Sequence, residues 1–120
     1  MNFNSAPEFE KEFKKLLKKY KSLETDIKIF KQVIENLYEG DNKTDREKFK
    51  QKFFDGKRAT IVTQSKKDQI AIKARLDCAY LNNDSLRIIF IKESDTITLI
   101  EIFNKSEKQR EDKERIRRYL

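Results

Sequence analysis

The sequence predicts an α+β domain: an N-terminal antiparallel helix hairpin packed on a three- to four-stranded antiparallel sheet, with a helix at the C-terminus. Three observations carry this. Apolar residues recur at helical spacing through residues 9–37. Three short runs rich in β-branched and aromatic residues follow between Gln69 and Phe103, separated by polar turns. Only two Gly and one Pro occur in 120 residues, which disfavours a loop-rich all-β fold. That length suits one domain, residues 1–120.

Asn2 to Asn4 reads as a short edge strand. Ser5-Ala6-Pro7-Glu8 has the pattern of a capping box, with Pro in the first turn. Phe9, Phe13, Leu16, Leu17 and Tyr20 then form one stripe. Ser22 is placed to cap a second helix, whose stripe is Leu23, Ile27, Phe30, Val33, Ile34 and Leu37, and Gly40 stops it. The short link at Lys21-Ser22 makes the two helices an antiparallel hairpin. Asp45 to Phe54 reads as a short helix, and Arg58 to Gln64 as a strand or an irregular loop.

Ile70, Ile72, Ala74, Leu76 and Cys78 alternate with Ala71, Lys73, Arg75 and Asp77, the pattern of a strand with one apolar and one charged face. Turns at Asn82-Asn83-Asp84 and Glu93-Ser94-Asp95 bracket Leu86 to Ile91, and Thr96 to Phe103 completes an antiparallel meander. Ser106 with Gln109 is a second capping-box pattern and opens a helix to the C-terminus, with Ile116, Tyr119 and Leu120 as its apolar end.

Composition narrows function. The chain has no His and a single Cys78, so a zinc site, an imidazole-based triad and an internal disulfide are not expected, and neither is a cofactor. One cysteine suits a reducing cytoplasm. No apolar run approaches the roughly 20 residues of a membrane span, and Met1 to Phe13 lacks a signal-peptide pattern. The net charge of +7 is concentrated in residues 43–67 and 105–120. It favours an anionic partner, nucleic acid first and an acidic protein segment second; the competing reading is a Lys-rich surface that confers solubility.

Within the sheet, IKARL carries Lys73 and Arg75, the next strand carries Arg87 in RIIF, and the end reads LIEIFNKSEKQREDKERIRRYL. With the helix pair before them, these segments resemble the RelE/ParE superfamily of bacterial type II toxins, from APEFEKEFKKL to the C-terminus. The resemblance implies a RelE-like fold, a cognate antitoxin as partner, and a ribosome-dependent mRNA endonuclease that arrests translation without a metal. The RNA 2′-hydroxyl would attack the adjacent phosphate, and cations would stabilise the charge that develops. By motif position, Lys73, Arg75 and Arg87 are the catalytic candidates. Lys57, Arg58, Lys105 and Lys108 are candidates for RNA binding.

Members of this group commonly carry a Tyr or His after the last strand; here that stretch is Phe103 to Lys108, with neither. Glu101 and Glu107 remain as bases, and Tyr119 is better placed for packing. Alternatives stand beside each assignment. Lys73, Arg75 and Asp77 also fit the solvated face of an edge strand. Arg87 also fits a cross-sheet ion pair with Glu101. Cys78 reads as a buried apolar residue, and Tyr80 as a base-stacking or core-capping ring. Two other functions fit the same resemblance: a ParE-like inhibitor of DNA gyrase without nuclease chemistry, or a degenerate module that only binds antitoxin or nucleic acid.

Overall fold

A computed structural model describes residues 1–66 and 68–120; Lys67, the last residue of the basic stretch 43–67, lies outside them. The elements in order are β1 (Asn2–Ser5), α1 (Pro7–Lys19), α2 (Leu23–Glu39), α3 (Lys43–Asp55), β2 (Ala59–Lys66), β3 (Gln69–Cys78), β4 (Asn83–Glu93), β5 (Thr96–Asn104) and α4 (Lys113–Tyr119). Over the described residues the architecture is α+β, with four helices and one five-stranded mixed sheet in the order β1-β5-β4-β3-β2.

The sheet corrects the expectation of three to four antiparallel strands. β2 through β5 form the antiparallel meander, but β1 joins the far edge and pairs in parallel with β5, Phe3 opposite Ile97. This placement explains why Ser5 does not cap α1. Ser5 belongs to the β1 ladder, and the helix starts after Ala6 without a side-chain cap. Pro7 opens the first turn, where a missing N–H costs nothing.

The expected α1–α2 hairpin is not clearly formed: α1 rests chiefly on β5, α2 on α3 and β3, and α1 and α2 make little contact with each other. Phe9, Leu16 and Tyr20 of the first stripe are buried, as are Leu23, Ile27, Phe30, Ile34 and Leu37 of the second. Phe30 meets Phe90 of β4 edge to face, with ring centroids 6.0 Å apart. Ser22 precedes α2 without capping it. Its hydroxyl donates to Asp26 at 2.7 Å and accepts from the Tyr80 amide at 2.8 Å, tying α2 to the β3–β4 turn. α3 is longer than Asp45 to Phe54 and contains no fully buried residue. Asn42 caps it by accepting from the Asp45 amide.

The opposite sheet face is covered too. Ala71, Ile89 and Ile91 share it with Lys73, Arg75 and Arg87, since the register sets Ala71 opposite Ile91, Lys73 opposite Ile89 and Arg75 opposite Arg87. All three apolar residues are buried. The C-terminal segment crosses them: Lys73 pairs with Glu111, the Asp112 amide donates to Glu101, and Ile116 sits at 1% exposure beside Val62. This second cover accounts for the near-continuous apolar run of β4, the mark of a strand buried on both faces. The Arg75–Arg87 end of that face stays open, to a cavity.

Candidate anion-binding site

β3 and β4 set the centre of the site. Arg75 and Arg87 are directly opposed in the ladder, and Lys73 lies two residues along the same face of β3. Arg58 arrives from the α3–β2 junction. There Lys57 takes a left-handed φ of 59°, turning the chain out of α3, and the Arg58 carbonyl accepts from the Arg75 amide at 2.8 Å. Lys105 follows β5, with its amide donating to the Ser85 carbonyl. These six cations, with Thr60, Phe103 and Gln109, line one cavity of about 230 Å³.

Arg87 is the deepest of them, 8% exposed. Its Nη1 donates to the carbonyls of Asp84 at 2.5 Å and Leu86 at 3.2 Å. No carboxylate pairs with it among the described residues. Burial lowers its pKa, Arg75 and Arg58 lower it further, and Asp84 opposes them. Such a group is satisfied in its hydrogen bonds on one side and in want of negative charge. The cross-sheet pair with Glu101, the alternative reading of Arg87, does not form. The register sets Glu101 opposite Ile89, and Glu101, fully buried, accepts from Lys108 and from the Asp112 amide.

Asp84 organises the other two arginines. Its Oδ2 accepts from Arg58 at 3.1 Å and from Arg75 at 3.4 Å, while Asp77 holds the second arm of Arg58 at 2.9 Å. Lys73 donates to Glu111 at 3.0 Å. Burial pushes the Glu111 carboxyl up, but backbone hydrogen bonding and Lys73 outweigh it and hold the group below its ordinary value.

Six of the seven cations singled out from sequence therefore meet at one cavity. Lys108 does not: it pairs with Glu101 and stands 5.6 Å over the Phe103 ring. Neither acid considered as a base lines the cavity, since Glu107 is exposed and pairs with Lys19. Tyr119 donates to Glu8, and Cys78 is buried as a small apolar residue. Tyr80 is 57% exposed and tilts against Tyr20. Sequence reasoning passed over Asp84 as an ordinary turn residue. The only signal for it was its position three residues before Arg87.

Among the described residues no helix is long and apolar enough to cross a membrane, and no group of three or more His, Cys, Asp or Glu is placed to hold a metal. Comparison with family models, with curated proteins and with solved structures gives no match to this chain.

Proposed function

We propose that this chain is a toxin of the type II toxin–antitoxin class that binds and cleaves mRNA on the ribosome, with the Arg75–Arg87 cavity as its phosphate site. The observation that carries the reading is the convergence of three arginines and three lysines on one cavity, around a buried Arg87 that has no carboxylate partner among the described residues. Planar guanidinium forks match two phosphate oxygens at once, and lysines add point charge. The antiparallel β2–β5 meander and the charged C-terminal helix are the features in keeping with the RelE-like resemblance.

In the reaction, the 2′-oxygen forms a bond to the adjacent phosphorus as the bond from phosphorus to the 5′-oxygen breaks. The products are a 2′,3′-cyclic phosphate and a 5′-hydroxyl. Arg75 and Arg87 bind the non-bridging oxygens and stabilise the added charge, and Lys73 faces the same space. The hydroxyl proton leaves to solvent and the leaving oxygen gains one from it: among the described residues no carboxylate lines the cavity, and Asp84 and Glu111 reach its edge only as partners of Arg58, Arg75 and Lys73. An antitoxin with an acidic segment would silence the site by covering these cations.

The test is induced expression with primer extension on translated mRNA. Ribosome-dependent cuts are expected, and Arg87→Ala should abolish them while far-UV circular dichroism stays unchanged. Growth arrest with DNA damage and intact mRNA would instead favour gyrase inhibition. An Arg87→Ala variant that still cuts would remove Arg87 from the site.

A further inference from the structure

We propose that a second groove, between α2 and the unpartnered end of β3, receives a nucleobase next to the phosphate held at Arg75 and Arg87. This rests on the RNA-binding reading above and assigns the adjoining surface.

The groove exists because β2 stops short. Its ladder with β3 ends at Ala59 opposite Ala74, and the last rung is the Arg75 amide on the Arg58 carbonyl. Leu76 to Cys78 therefore has no strand on that side. The space left is about 640 Å³, inside the range of small-ligand sites. Its walls are Ile29 and Val33 of α2, Phe53 of α3 and Leu76 of β3. Ile29 is 55% exposed, a large apolar side chain that packing within the chain does not explain.

Two features select an unstacked RNA base as the occupant. Arg58 and Arg75 line both the groove and the anion cavity, so they form a shared wall. A strand with its phosphate on the Arg75–Arg87 side places a neighbouring base over that wall, where guanidinium planes stack on bases. The groove itself has an apolar lining for the base faces and a polar rim of Asp77, Asn82 and Asp84 for its edge. The turn at Asn82, with φ of 53°, sets that rim. Single-stranded RNA is recognised through such stacking platforms beside cationic tracks.

The experiment titrates a short RNA, made uncleavable by 2′-O-methylation, into wild-type protein, Ile29→Ser, Val33→Trp and Arg87→Ala, and follows fluorescence anisotropy. A matched set of RNAs carries one abasic site at successive positions. For the wild type, one abasic position should weaken binding about tenfold, the scale of a single base stack. Ile29→Ser should weaken the intact RNA by a similar factor and leave that abasic RNA unaffected. Val33→Trp, which fills the groove without removing apolar surface, should do the same. If both variants bind every RNA as the wild type does, or weaken all equally, the groove assignment falls while loss of binding in Arg87→Ala keeps the RNA reading. If the wild type binds none of the RNAs, both fall together.

Discussion

Asp84 shows how one residue shapes the site. Its carboxylate bonds two arginines and its carbonyl bonds the third, so the three guanidinium groups are spaced around a single turn residue. The carboxylate also stands on Arg58 and Arg75 as an anionic oxygen of a substrate would. A phosphate must share those donors with it, and like charges a few ångströms apart repel. Asp84→Asn keeps the shape and an acceptor but removes the charge. It should bind single-stranded RNA several-fold more tightly than wild type by anisotropy at fixed salt. Equal or weaker binding would mean that alignment of Arg58 and Arg75 by the charge outweighs its competition. Arg87 differs, because its partners are backbone carbonyls that a substrate does not displace. Substituting it removes charge without releasing any carboxylate, so Arg87→Ala should lose binding with no compensating gain.

Among the elements, the C-terminal segment is where sequence and structure part most. Ser106 and Gln109 have the spacing of a capping box, yet the Ser106 amide and hydroxyl both donate to Asn104 Oδ1, and residues 105–111 cross the sheet without a helix. The helix begins only after Asp112, which caps it through the Arg115 amide. Three expected caps failed alike, because Ser5, Ser22 and Ser106 had competing partners that no spacing rule reveals: the β5 ladder for Ser5, Asp26 and the Tyr80 amide for Ser22, and Asn104 for Ser106. Helical stripes and strand alternation were legible because they are local, and so was the shared face of Lys73 and Arg75. The parallel partner of the four-residue β1 was not, nor was the irregularity between Ile89 and Phe90 that sets which β5 residue faces Arg87. The same segment makes a pH prediction. Asp112 lies below its ordinary value of 3.8, chiefly because the Arg115 amide donates to it and then because of nearby cations, and Glu111 lies below 4.5. A carboxyl depressed on folding stabilises fully above its unfolded pKa and loses that contribution as pH falls through the folded one. Acidification below pH 3.8 should therefore release α4 from the sheet before the sheet melts. Ile116 methyl resonances would report it, and Asp112→Asn should blunt the transition; unchanged Ile116 shifts down to pH 2 would refute this.

For the whole molecule the question is how much of the +7 charge reaches the ligand. The cavity is lined by six cations, but Arg58 and Arg75 share Asp84, and Lys73 is held by Glu111. Lys57, Lys105 and Arg87 have no carboxylate partner among the described residues. The surplus is thus local, and α3 extends it with Lys48 and Lys52 exposed beside Phe49. Such a field speeds encounter with a polyanion and makes binding salt-dependent. For single strands the slope of log K against log salt is about −0.7 per phosphate neutralised. If the three uncompensated cations each take one phosphate, the slope should be about −2. Titrations across a series of KCl concentrations would measure it. A slope of about −3.5 would bring Lys48 and Lys52 of α3 into the track, and Lys48→Gln with Lys52→Gln should then restore the shallower value. A slope near zero would remove phosphate from the cavity, because three exposed or unpaired cations cannot hold a polyanion without releasing its counterions.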